Sequence, residues 1–377
     1  MLRTSDLEYD LPESSIARTP ASDRDAARMM VVKSSDPSFL AHASVRDLPA
    51  WLAQGDCLVV NRSPVLPARF LGARADTGGR VEGLFLSEGA GASWRVLLQG
   101  KRMREGVRVT LFDRAGEPGS YSLVLKERLA DEVGGWLVGV EPPASDGAMS
   151  VLGRVGLTPI PPYIRRAREH AAEVVPDDVD RARYQTTFAS AQPEPVVAGG
   201  VPDAPSGSVA APTAGLHLTP ALFDALEHRG VTRCGVSLHV GTGTFRTVEA
   251  EFIEQHRMHA EWCSMPVATR EAILSTRGAG GRVVCVGTTS ARTVESYAGA
   301  EGVPEWLSTS ILITPGYRWR WTDALLTNFH LPRSTLMAMV ASLLGQDGVA
   351  RLRSHYACAV QEGYRFYSYG DAMLVLP

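Results

Sequence analysis

Several things are missing from this chain, and each absence excludes a class of protein. No run of about 18 apolar residues occurs, the length a helix needs to cross a bilayer, so no membrane span is expected. Positive charge is not in excess: 38 Lys and Arg stand against 41 Asp and Glu, a net charge of −3. A global basic field for nucleic acid is therefore excluded, and any such contact must use local basic patches. Cysteine is sparse and scattered: Cys57, Cys234, Cys263, Cys285 and Cys358 are odd in number and form no C-x-x-C pair. That argues against a disulfide framework and a cysteine zinc site, and fits a reducing cytoplasm. The start carries Asp6, Glu8 and Asp10, and no apolar stretch follows Arg3, so no signal peptide is expected.

What is present is room for two domains, with 377 residues of which 45% are hydrophobic. Residues 66 to 141 stand apart. Six alternating or β-branched runs, Leu66–Ala73, Arg80–Ser87, Ser93–Leu98, Val107–Phe112, Tyr121–Arg128 and Trp136–Glu141, are separated by Gly-rich turns. Short strands at this spacing, with no helical pattern between them, predict a small barrel. Strand and helix patterns alternate on both sides. The expected fold is an α/β main domain, residues 1–65 and 145–377, with an inserted small six-stranded antiparallel β-barrel at 66–144.

The main domain is organised around Ser206–Arg246. Pro212-Thr213-Ala214-Gly215 reads as a turn in which Gly permits positive φ. Leu216 and His217 follow. Thr219 reads as a helix N-cap with Pro220 at the first helical position, and Gly230 stops the helix. Val231–Val240 reads as a buried strand that passes through His239 into Gly241-Thr242-Gly243-Thr244, a loop able to approach a ligand closely. A second strand, Val283–Val286, leads into Gly287-Thr288-Thr289-Ser290 and a helix carrying Arg292. Free N–H groups and hydroxyls there suit an anion or oxygen ligand, although an ordinary N-cap explains them equally well. Further strands are expected at Asp56–Val60, Ser310–Thr314 and Tyr364–Leu376, and helices at Ser334–Leu344 and Gly348–Gly363. Residues 142–206 read as loop-rich, and Ala191–Pro205 as a flexible excursion. His256, His259 and Glu261 do not have the helical H-E-x-x-H spacing, so no metal is expected. Two basic groups stand out: Lys101, Arg102 and Arg104 in one barrel loop, and Arg165, Arg166 and Arg183 after Pro159-Ile160-Pro161-Pro162-Tyr163. Aromatic plus Arg in loops is what single-stranded RNA recognition uses, and solvated clusters of the same kind are common.

An ordered set of motifs then resembles one family. Ala211-Pro-Thr-Ala-Gly-Leu-His217, His239-Val-Gly-Thr-Gly-Thr-Phe-Arg246, Met258-His-Ala-Glu261, Val286-Gly-Thr-Thr-Ser290, Thr327-Asn-Phe-His-Leu-Pro332 and Phe366-Tyr-Ser-Tyr-Gly-Asp-Ala-Met373 are similar to S-adenosylmethionine:tRNA ribosyltransferase-isomerases. So are Tyr9-Asp-Leu-Pro12 and Tyr184-Gln-Thr186. The resemblance runs from about residue 6 to the end. It implies queuosine biosynthesis: the ribosyl part of S-adenosylmethionine is transferred and isomerised onto 7-aminomethyl-7-deazaguanine at the wobble position of a GUN-anticodon tRNA. The products are epoxyqueuosine-tRNA, adenine and methionine. S-adenosylmethionine is then a co-substrate, with no bound cofactor, and the protein a cytoplasmic monomer. Such chemistry needs acid/base groups and hydroxyl-holding groups. His217, His239, Glu261 and His330 are the candidates for proton transfer. Thr213, Gly215, Gly241, Gly243, Thr244, Thr288, Thr289, Ser290, Arg292, Asn328 and Asp371 are those for substrate binding, and the six basic residues above those for tRNA. One stretch departs from the family's usual Asn-Asp/Asn-Thr/Ser-Arg-Val-Ile/Leu-Pro-Ala-Arg: here it reads Asn61-Arg-Ser-Pro-Val-Leu-Pro-Ala-Arg69, with Pro64 where an Arg is usual. On that departure rests the alternative, a tRNA-binding family member with impaired catalysis.

Overall fold

The computed structural model describes all residues except 90–92, 131, 144–146, 191–206, 242–247 and 303. The expected excursion at 191–205 and the loop glycine and threonine at 243 and 244 lie outside the described residues.

In chain order the main domain begins with β1 (Arg28–Lys33), β2 (Leu40–Ser44), α1 (Leu48–Trp51) and β3 (Cys57–Asn61). Six strands follow: β4 (Arg69–Arg74), β5 (Arg80–Gly89), β6 (Ser93–Gln99), β7 (Arg108–Phe112), β8 (Pro118–Arg128) and β9 (Gly135–Glu141). Next come α2 (Gly147–Val155), α3 (Pro162–His170), α4 (Asp177–Arg183), α5 (Pro220–His228), β10 (Thr232–Leu238), β11 (Glu261–Ser264) and α6 (Val267–Gly278). The chain closes with β12 (Val283–Val286), α7 (Gly287–Gly299), β13 (Leu307–Thr309), β14 (Ala324–Asn328), α8 (Thr335–Leu343), α9 (Gly348–Gln361) and β15 (Ala372–Leu376).

Strands β4 to β9 close into an antiparallel barrel in the order β4-β5-β6-β9-β8-β7, as their alternation predicts. Phe70, Phe85, Trp94, Val109 and Leu123 fill it, and α2 packs on it through Val151, Leu152 and Val155.

The other strands form one mixed sheet, β13-β11-β10-β3-β12-β14-β15-β1-β2. Its centre, β10, β3, β12 and β14, is parallel, while β15 runs antiparallel to β14. Strands β3, β12 and β14 are buried along their whole length, which is why they read as unbroken apolar runs. Successive residues feed opposite faces. Cys57, Val59, Val283, Cys285 and Leu325 join a core with α8 and α9. Leu58, Val60, Val284, Val286 and Leu326 join a second core with α1 and α5.

This topology gathers the site. Parallel strands deliver their carboxyl ends to one edge, the usual ligand edge of such sheets. Asn61, Leu238, Val286 and Asn328 are those ends, and Asp371, which precedes antiparallel β15, enters at the same edge.

Three sequence expectations need correction. Residues 142–206 hold α2, α3 and α4, because short helices with Pro at their starts imitate loop composition. The strand expected at Ser310–Thr314 lies at Leu307–Thr309, where pairing with β11 is available. The closing strand is confined to Ala372–Leu376; the preceding motif is irregular and carries Tyr367 at φ +71.

Candidate active site

A pocket opens at the carboxyl edge of the parallel strands. Thr213, Thr288, Thr289, Asn328 and His330 line it, with Ala210–Pro212, Val240, Gly287, Ser334 and Tyr163.

Gly287 connects strand to helix with no spare residue. Val286 ends β12, α7 starts at the next position, and φ of +80 there favours glycine. Gly287, Thr288 and Thr289, the first turn of α7, thus line the pocket edge. Ser290 does not join them: its Oγ donates to the Val286 carbonyl at 2.7 Å and is turned into the helix, correcting its expected place on the ligand. Asn61 fixes the helix start. Its Nδ2 donates to the Leu238 carbonyl (3.1 Å) and to Thr289 Oγ1 (3.3 Å), and its Oδ1 accepts from Leu238 N and Ser63 N. Asn61 is a site residue absent from the sequence candidates, since it opens the stretch that departs from the family pattern. An Asn ending a buried apolar strand was the available signal.

Asn328 organises the opposite wall. Its Oδ1 accepts from Thr213 Oγ1 at 2.7 Å, and its Nδ2 donates to His217 Nε2 (3.2 Å) and the Asp371 carbonyl (3.4 Å). His217 is buried and lies behind Asn328, outside the pocket lining. Burial pushes its pKa down to about 4, against an opposing pull from Asp371. It is a neutral ring that orients Asn328, one layer removed from the cavity. Gly215 does not use positive φ. It is needed because a Cβ there would lie 2.9 Å from the Phe188 ring. Asp371 is also corrected. Its carboxylate accepts from Arg28 N (3.0 Å) and Arg365 N (2.8 Å) and pairs with the Arg365 guanidinium (3.4 Å), so it staples the strand entry and does not line the pocket.

His330 does line the pocket. Thr327 Oγ1 lies 2.7 Å from its Nε2, and burial lowers its pKa to about 4. Its backbone is pinned from both sides: Tyr9 Oη donates to its carbonyl at 2.5 Å, and its N–H donates to Tyr356 Oη at 3.0 Å. This explains the work of the early Tyr9 motif.

A second cluster sits on the neighbouring strands. Glu261, buried on β11, accepts from Gly241 N at 3.0 Å and forms a close ion pair with Arg292, one helical turn beyond Thr288. Both carboxylate oxygens are occupied, which corrects Glu261 as a free base. Arg292 is 4% exposed, and its Nε and Nη2 have no hydrogen-bond partner among the described residues. His239 is 3% exposed and stacks on Trp306 at 5.3 Å. Burial lowers its pKa to about 4, and the nearby Gly207 backbone partly opposes this. Buried polar atoms left unused in this way are costly. His259 and Glu261 point to different partners: Glu261 faces Arg292, whereas His259 faces Glu132 of the barrel at 3.8 Å.

Between barrel and main domain lies a larger groove of about 2340 Å³, with open solvent included. Arg69, Glu82, Pro159–Pro162, Tyr163, Arg165, Arg166, His256 and Arg257 line it. Glu82 pairs with Arg69 (2.9 Å) and Arg165 (2.8 Å). Burial would raise its pKa, but the two guanidiniums outweigh it and hold the carboxyl below its usual range. Arg165 thus ties α3 to the barrel and is not a free tRNA contact. Arg183 is corrected too: its guanidinium donates to the carbonyls of Ala21 and Ser22. Arg166 is exposed in the groove, while Lys101, Arg102 and Arg104 are exposed on a barrel loop outside the groove lining.

Fold and site together define an α/β enzyme with an inserted barrel, its pocket at the carboxyl edge of a parallel sheet and a broad charged groove beside it. The chain belongs to the queuosine biosynthesis protein family, whose model matches residues 4–375. It is 43% identical to the S-adenosylmethionine:tRNA ribosyltransferase-isomerase of Phenylobacterium zucineum (strain HLK1), with 99% of each chain covered. It is 42% identical to the enzyme of that name from Rhizorhabdus wittichii (strain DSM 6014 and equivalents), with 100% of each covered. Among solved structures, the S-adenosylmethionine tRNA ribosyltransferase of Thermotoga maritima matches with a TM-score of 0.51 and 28% identity, over 99% of this chain and 100% of that one.

Proposed function

We propose that this protein transfers and isomerises the ribosyl group of S-adenosylmethionine onto 7-aminomethyl-7-deazaguanine at the wobble position of a GUN-anticodon tRNA, giving epoxyqueuosine-tRNA, adenine and methionine. The observation that carries this reading is the full-length match to enzymes of that name. A pocket of hydroxyls, an amide and a neutral imidazole agrees with it. The protein works as a cytoplasmic monomer, with 66–144 as an inserted domain.

The sulfonium acidifies ribose C5′, and a base must take that proton. His330 fits best, because of the four proton-transfer candidates it is the one that lines the pocket. Asn328, Thr213, Thr288 and Thr289 hold the nucleoside. His217 keeps Asn328 in place. Arg292 is buried outside the pocket lining, where Glu261 fixes its guanidinium. The departure at Arg62–Pro64 spares Asn61, whose contacts are intact.

The direct test incubates purified protein with S-adenosylmethionine and tRNA carrying the aminomethyl-deazaguanine, then digests the tRNA for nucleoside mass spectrometry. Appearance of the epoxyqueuosine mass is expected. Its absence, in protein that still binds the tRNA, would favour the binding-only alternative.

A further inference from the structure

Pocket and groove share two walls: Tyr163 and Leu331 line both. A group passing from the groove into the pocket passes these two side chains. Tyr163 is held firmly there. Its backbone follows Pro161 and Pro162, which open α3. Its hydroxyl lies 2.5 Å from Ser368 Oγ, and its ring meets Tyr367 at 4.7 Å between centroids with the planes at 61°. Tyr367 is itself kept in the left-handed region, at φ +71, an arrangement that persists only where the surroundings enforce it. Burial raises the Tyr163 hydroxyl to about 12, so it stays protonated. The result is a half-buried aromatic ring, tethered at its hydroxyl and packed by Tyr367, where pocket and groove meet, on the same helix as the exposed Arg166 and with exposed Arg257 on the groove wall.

We infer that Tyr163 is the platform on which the target base stacks once it leaves the anticodon loop. This rests on the reaction proposed above. A base stacked within its loop cannot place its aminomethyl group in a pocket walled by Thr213, Asn328 and His330. It must turn out, and an aromatic ring at the passage replaces the stacking it gives up. A ring already fixed by Ser368 and Tyr367 loses little freedom when the base arrives. Tyr163 is a positioning residue: it binds the base and leaves the proton transfers to others.

The test uses an anticodon stem-loop RNA carrying fluorescent 2-aminopurine at the wobble position, together with single-turnover adenine release on the modified tRNA. The wild-type protein quenches the probe by stacking. Tyr163→Leu leaves most of the fluorescence and weakens RNA binding by about 5- to 150-fold, the range for one lost base–aromatic stack. It slows adenine release at least about tenfold, from impaired near-attack placement, with KM for S-adenosylmethionine unchanged. Tyr163→Phe, which keeps the ring and loses the bond to Ser368, restores the quench and most of the rate. Equal quenching and equal rates in Tyr163→Leu and wild type would overturn the assignment while leaving the reaction standing. A Tyr163→Phe protein as impaired as Tyr163→Leu would overturn it as well, assigning the effect to the hydroxyl. A wild-type protein releasing no adenine with modified tRNA would overturn both this assignment and the proposed reaction.

Discussion

The pocket and the groove meet at Tyr163 yet are built on opposite electrostatic plans. The pocket lining holds hydroxyls, one amide and an imidazole kept neutral, and no carboxylate or guanidinium among the described residues. The groove is charged, with Arg69 and Arg165 compensated by Glu82 and with Arg166 and Arg257 exposed. A neutral, hydrogen-bonding pocket discriminates by shape and hydroxyl placement and is insensitive to salt. A groove with exposed arginines binds phosphates by counterion release, and its affinity falls with salt. Each region accordingly has its own signature, and a mutation in one should not reproduce that of the other.

The largest expected effect comes from the pocket. Asn328→Ala removes the link between Thr213 and His217 and should lower the rate of adenine release about 100-fold or more, by loss of preorganised hydrogen bonding. Filter binding should show tRNA affinity within about threefold of wild type, which is within the range of uncoupled sites. A matching collapse of tRNA affinity would erase the distinction between the two regions.

Glu261→Gln should act on stability first. It strands the buried Arg292 charge, and breaking one side of a buried pair costs about 3 to 5 kcal/mol. Urea denaturation measures this. An unchanged midpoint would mean that the pair is not buried in solution.

The neutral histidines set a pH dependence. The folded-state pKa of His217 and of His239 lies near 4, below the unfolded value of about 6.5. Below 6.5 the unfolded chain binds more protons than the folded one. Stability should therefore fall as pH drops from about 6.5 towards 4, by on the order of 3 kcal/mol for each histidine at the lower end. Denaturation at stepped pH tests this, and His217→Gln should flatten part of the slope.

The smallest effect belongs to the groove. Arg166→Ala should weaken tRNA binding a few-fold and reduce the salt slope by about one ion. A slope unchanged across salt titrations would remove Arg166 from the phosphate contacts.

The two regions also differ in how far the sequence reveals them. The barrel was readable because its six strands alternate and Gly-rich turns punctuate them. The Thr219 cap was readable because capping is local: Oγ1 accepts from Leu222 N at 3.2 Å as expected. The identities of Thr213, Thr288, Thr289, Asn328 and His330 came from motifs, and all five line the pocket. Partners were not readable. Nothing local tells that Asp371 is used up by two backbone amides, that Glu82 neutralises Arg165 from the barrel, or that Tyr9 reaches His330 across 321 residues of chain. Those contacts arise from the sheet order, which brings distant strand ends to one edge. Tyr163 stands out in the sequence as an aromatic among prolines, but its position at the junction follows from how α3 is packed.

The most direct test of the central claim is adenine release from S-adenosylmethionine by the purified protein, with two substrates in parallel: tRNA bearing 7-aminomethyl-7-deazaguanine at the wobble position, and the same tRNA bearing guanine. Release with the modified tRNA alone is the predicted result, and it would tie the pocket chemistry to what the groove presents. Equal release with both tRNAs, or release with neither, would contradict it.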